Sequence, residues 1–173
     1  LVDKKMEELC VAINCAGAAG IAIAKFLLRF GVKDVVVCDS KGIIRAGDPR
    51  LNDSKRELAE ISNKRRLIGT LADAMKGADV FVGVSVANCV TKDMVRSMAD
   101  KAIVFTCANP VPEILPEDAL AAGAAVVGTG ASQYPNQINN VLVFPGLFRG
   151  ALDVRASDIN TEMMMGQTAS SAG

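Results

Sequence analysis

Five short apolar runs recur along the chain, and stretches of helical spacing separate them. Residues 9–14 have strand length, and 17–30 follow with helical spacing, where the small side chains of Ala18, Ala19, Ala22 and Ala24 allow close approach to a sheet. Gly31 supplies a C-terminal stop. The β-branched run 35–38 predicts a buried strand that ends in a polar turn over 39–42. Gly, Asp, Pro and Asn residues mark 47–52 as a longer loop, after which Ser54 is the expected cap of a charged helix carrying Lys55, Arg56 and Glu57. A short helix is predicted over 70–75, a strand over 79–84, a loop over 85–90 and then a helix opened by Thr91 and Asp93. Residues 102–106 predict the next strand, which runs toward Asn109-Pro110, where the proline biases Asn109 to an extended backbone. Residues 124–128 predict the last strand. Strands separated by helices imply βαβ units and a mostly parallel sheet with helices on both faces, a doubly wound α/β domain. One such domain is expected over 1–162, with 163–173 a frayed tail.

Composition narrows the function. At 173 residues the chain suits one domain of roughly 100–200 residues. Half of it is hydrophobic, which excludes intrinsic disorder. Lys+Arg and Asp+Glu both number 19, so no net field draws in nucleic acid. The absence of histidine removes Ser-His-Asp and Cys-His nucleophiles and imidazole metal sites. Cys10, Cys15, Cys38, Cys89 and Cys107 are odd in number and form no CxxC pair, so reduced thiols are expected rather than a disulfide framework or a zinc knuckle. No apolar run reaches about 18 residues and no signal-peptide core opens the chain, from which a soluble, cytoplasmic protein without membrane partners is expected. The first residue is not Met and a charged run stands directly before the first strand, so the chain is expected to be a piece of a longer polypeptide.

Candidate chemistry begins at the first strand-helix junction. In Asn14-Cys15-Ala16-Gly17-Ala18-Ala19-Gly20, Gly17 and Gly20 match the second and third glycines of a dinucleotide fingerprint, and Cys15 stands at the first. Gly17 lets the backbone approach a pyrophosphate, Gly20 lets the helix pack closely, and the helix start offers free N–H groups to the anion. A glycine-rich turn serving packing alone is the competing reading. Asp39, at the end of the second strand and 19 residues beyond Gly20, is placed to bond a ribose 2′-hydroxyl, with Ser40 beside it. Its carboxylate favours NAD, whereas Lys41 and Arg45 in the same loop leave NADP open.

These blocks, with Gly77-Ala-Asp-Val-Phe-Val-Gly-Val-Ser85, Ala108-Asn-Pro-Val-Pro-Glu113, Tyr134-Pro-Asn-Gln-Ile-Asn-Asn140 and Phe144-Pro-Gly-Leu-Phe-Arg-Gly-Ala-Leu-Asp-Val-Arg155, resemble the NAD(P)-binding domain of malic enzymes, especially the bacterial-type ones, over about residues 8–162. The resemblance implies a Rossmann-like fold and the oxidative decarboxylation of malate to pyruvate and CO2, with NAD or NADP as hydride acceptor and Mg²⁺ or Mn²⁺ as Lewis acid. It assigns Ala16, Gly17, Ala18, Ala19 and Gly20 to the pyrophosphate, Asp39 and Ser40 to the ribose, and Val84, Ser85 and Asn109 to the cofactor cleft. Asn109, Asn139 and Asn140 correspond to the amides that reach the substrate carboxylate and the nicotinamide. A structural turn at Pro110 and a loop cap at Asn139-Asn140 are the plainer alternatives for these asparagines.

Two departures touch the cleft: Cys15 replaces a glycine, and Val86-Ala87-Asn88-Cys89 stands where the family carries a Pro-Gly turn. The family takes its catalytic tyrosine and lysine and its metal ligands from a preceding domain, so the resemblance implies that this chain alone is inactive and that the complete enzyme is a homo-oligomer, a dimer or higher. Tyr134 is expected to be structural. Glu113, Glu117 and Asp118 are expected as first-turn helix residues rather than metal ligands, and Cys15 and Cys107 as buried thiols. A free-standing nucleotide-binding regulatory module and another dehydrogenase of the same fold are the alternatives.

Overall fold

The computed structural model describes residues 1–138, 140, 143–160 and 162–166. The chain divides into two compact units, Leu1–Ile138 and Asn139–Gly173.

In the first unit a 3-10 turn, Met6–Glu8, leads into β1 (Cys10–Asn14), α1 (Ala18–Arg29) and β2 (Asp34–Asp39). The main chain then doubles back through β3 (Gly42–Ile43), a two-residue strand antiparallel to β2. The expected polar turn over 39–42 is therefore the tip of a hairpin; a strand of two residues is too short to leave a hydrophobic pattern. Next come α2 (Asp53–Ile61), α3 (Leu71–Met75), β4 (Val80–Gly83), α4 (Lys92–Arg96), β5 (Ile103–Thr106), α5 (Pro116–Ala121) and β6 (Val126–Thr129). The sheet order is β3-β2-β1-β4-β5-β6, parallel except at β3.

Alternation along the strands sends successive side chains to opposite faces. Val11, Ile13, Val35, Val37, Val80 and Val82 face one core with Ala24 of α1 and Leu58 and Ala59 of α2. Ala12, Val36, Phe81, Val104 and Val127 face the other with Met75 of α3, Val95 of α4 and Ala119 of α5. Burial on both faces explains why β1 and β2 read as near-continuous apolar runs. The chain runs outward in both directions from β1, so the ends of β1 and β4 form the switch point of the sheet, where ligands bind in open α/β folds.

Local chemistry sets the element ends. Asn52, rather than Ser54, caps α2, its side chain accepting from the Lys55 N–H at 3.0 Å. Ser54 already lies inside the first turn, two residues beyond the capping position. Thr70 and Asp73 form a capping box on α3, and Thr91 caps α4. The second unit contains α6 (Phe144–Asp153) and helical backbone over 162–166, part of the expected tail; residues 167–173 lie outside the described residues. No helix among the described residues is long and apolar enough to cross a membrane.

Candidate functional site

A cleft of about 760 Å³ opens at the switch point. Its walls include Asn14 at the end of β1, Cys15, Ala16 and Gly17 on the turn into α1, Asp39 and Ser40 at the end of β2, and Ser85 after β4. Sequence separation thus gives way to one concave surface. Gly20 is buried in α1, and an added Cβ would collide with the Cys15 carbonyl, which is why only glycine packs there. Gly17, Ala18 and Ala19 are exposed at the helix start, where the first N–H groups have no partner inside the helix. Val84 is half-buried, and Asn109 is exposed on the loop after β5 and does not line the cleft. Asn139 lies outside the described residues, and Asn140 belongs to the second unit.

Asp39 is held from both sides. One oxygen accepts from the Lys41 N–H at 2.9 Å and the other from the Lys55 ammonium at 2.7 Å. Burial pushes its carboxyl up, but these two donors and the nearby charge of Arg50 outweigh that and hold it below the ordinary aspartate value. The carboxylate is therefore charged at neutral pH. Lys41 lines the same cleft, whereas Arg45 lines a separate hollow beside Lys64 and Arg66.

Cys15 adopts φ +123°, a backbone conformation that suits glycine and strains an L residue. Its sulfur accepts weakly from the Gly17 N–H at 3.4 Å, beside the start of α1. Both Cys15 and Cys107 are half-buried rather than buried, since each stands on a loop beyond a strand end. The Asn14 amide donates to the Cys89 sulfur at 3.1 Å, tying β1 to the 85–90 loop.

The sequence profile described as "Malic enzyme, NAD binding domain" covers residues 1–172. The chain belongs to the malic enzyme family. A bifunctional malic/malolactic enzyme of Bacillus subtilis is 59% identical over 164 residues, covering 94% of this chain and 40% of that protein. An NADP-dependent malic enzyme of Haemophilus influenzae is 48% identical over 167 residues, 94% of this chain and 22% of that protein. The crystal structure of an NAD-dependent malic enzyme from Thermotoga maritima matches with a TM-score of 0.83 at 50% identity, covering 86% of this chain and 40% of that one. The chain spans 40% or less of the length of these relatives.

Within this malic enzyme NAD-binding domain, the 86–89 departure is accommodated: Asn88 takes φ +56°, the left-handed conformation that asparagine tolerates best after glycine. Glu113 is the main correction. Expected in the first turn of a helix, it precedes α5 and is wholly buried, while Glu117 and Asp118 occupy that first turn. Sequence spacing missed Lys55 as the partner of Asp39, because its reach across from α2 leaves no local signal. Asn14 had one: a polar residue ending an otherwise apolar strand.

Proposed function

We propose that this chain is the dinucleotide-binding part of an enzyme that oxidatively decarboxylates malate to pyruvate and CO2, using NAD in preference to NADP. The observation that carries this reading is the convergence of the exposed α1 start and the charged Asp39 on one cleft at the switch point. The residues present fit the group: glycine at 17 keeps a side chain off the helix start, where an added Cβ would stand 3.3 Å from the Cys15 sulfur, and the cleft volume lies in the range of small-molecule and cofactor sites.

In this reading Ala16 to Gly20 hold the pyrophosphate, with the Ala18 and Ala19 amides donating to it. Asp39 accepts from the ribose hydroxyls beside Ser40. Its charge opposes a 2′-phosphate, and the nearest ammonium, Lys55, is already engaged with it. Val84 and Ser85 flank the nicotinamide, which supplies the hydride acceptor when bound, and Asn109 stands on the next loop, after β5. Asn109 is the amide of the first unit that would donate to the substrate carboxylate, without adding net charge. Among the described residues no three Asp, Glu, Cys or His side chains come together to hold a metal ion. The proton donor and acceptor and the ligands for Mg²⁺ or Mn²⁺ then come from the rest of a longer, cytoplasmic, homo-oligomeric enzyme, with five free thiols favouring a reducing compartment.

Titration with NADH and NADPH tests the reading. Tighter binding of NADH is expected, binding of neither overturns the dinucleotide assignment, and tighter binding of NADPH overturns the preference. Malate turnover by the 173-residue chain alone would overturn the assignment of the acid and base to the rest of a longer enzyme.

A further inference from the structure

A carboxylate with no exposed surface stands between the loops that follow β4 and β5. Glu113 is 0% exposed. Its Oε1 accepts from the Ser85 N–H at 3.0 Å and its Oε2 from the Ala108 N–H at 3.1 Å. The main chain reinforces the junction, with the Val90 N–H donating to the Glu113 carbonyl and the Asn88 N–H to the Pro112 carbonyl, both at 3.0 Å. Gly83 packs flush against the side chain: an added Cβ would stand 2.5 Å from Glu113 Cδ. Among the described residues no lysine or arginine pairs with it; both of its oxygens are used on backbone amides.

Enclosing a carboxylate without a cation is costly, and an apolar side chain could fill the same space without that cost. An apolar side chain cannot accept two N–H groups at once from two different loops. One of those amides belongs to Ser85 in the wall of the cleft, and the other immediately precedes Asn109. We infer that Glu113 is a positioning residue, whose carboxylate sets the spacing of the two loops and through them places Ser85, in the wall of the cleft, at the nicotinamide end of the cofactor. The inference rests on the dinucleotide reading above. A second consequence is electrostatic: burial first, and then the Glu113 charge, push the Cys89 and Cys107 thiols above their ordinary value.

The test uses the protein that carries this chain, with Glu113→Gln, which keeps the shape and loses the charge, and Glu113→Asp, which keeps the charge one methylene shorter. Each is titrated with NADH and with ADP-ribose, which has both riboses and the pyrophosphate but no nicotinamide. Affinity for NADH should fall about tenfold in both variants while ADP-ribose stays within twofold of the parent, and the pH midpoint for alkylation of Cys107 should drop in Glu113→Gln alone. An NADH loss under threefold, or an equal loss for both ligands, overturns the positioning role. Parent protein that binds neither ligand marks failure of the dinucleotide reading instead, and the inference falls with it. Amide hydrogen exchange on the parent needs no variant to fold: slow exchange at Ser85 and Ala108 is expected, and fast exchange at either overturns the clamp.

Discussion

At the scale of single residues, the first position of the fingerprint turn carries a measurable penalty. Cys15 sits at φ +123° because the chain must turn from β1 into α1 within three residues, and Gly20 packed on its carbonyl leaves no room to relax. Strain of this kind is about 1–3 kcal/mol. Its sulfur recovers little, since a 3.4 Å contact to the Gly17 N–H is long and weak. Cys15→Gly should therefore raise stability, partly offset by the larger freedom glycine gives the unfolded chain, for a net gain on the order of 1 kcal/mol. It also uncovers the Gly17 amide at the helix start, so NADH should bind more tightly in the same variant. Thermal unfolding and NADH titration check the two halves separately, and a variant less stable than its parent would show that the backbone here is relaxed.

Among elements, α2 links the fold to the cleft. It is short and strongly charged, so its own propensity is small and its start depends on the Asn52 cap, while Leu58 and Ala59 anchor it to the core. Lys55 sits in its first turn and reaches Asp39. Asn52→Ala should cost about 1 kcal/mol by loss of the cap, and because the frayed turn carries Lys55, NADH affinity should change in the same variant. Chemical denaturation and NADH titration together check this; lost stability with unchanged affinity would mean that the Lys55–Asp39 pair holds without the cap. The same helix shows what the sequence reveals and what it does not. Apolar runs and glycine stops placed every parallel strand to within two residues, because burial on both faces leaves a strong pattern. The cap was misplaced by two residues, from Asn52 to Ser54, because both are good cap residues and only tertiary packing selects between them. Gly17 and Asp39 were legible as parts of a fingerprint, whereas Lys55 and Glu113 act through contacts distant in sequence, and no spacing rule encodes them. For Glu113 the prolines around it suggested a helix start, and the burial that defines its role exists only once β4 and β5 lie side by side.

For the molecule as a whole, the two-faced core makes stability sensitive to alkali at one buried thiol. Cys38, on β2, is buried against the α3 face of the sheet. Burial, followed by the charges of Asp39 and Asp73, pushes its thiol up to about 12. A folded-state pKa above the unfolded value means that the native state holds the proton more tightly. The stabilisation is fully present below the unfolded thiol's pKa, near 8.5, and is lost progressively as pH rises toward 12. In that window one proton is worth about 1.4 kcal/mol per pH unit. Unfolding temperature should therefore fall steeply above roughly pH 9, and Cys38→Ala, although less stable at pH 7 from the cavity it leaves, should lose less on going from pH 8 to pH 11. Measured unfolding free energies of the two proteins should converge with rising pH. Parallel curves would mean that the Cys38 thiol ionises as easily in the folded chain as in the unfolded one, and that the strand is open to water.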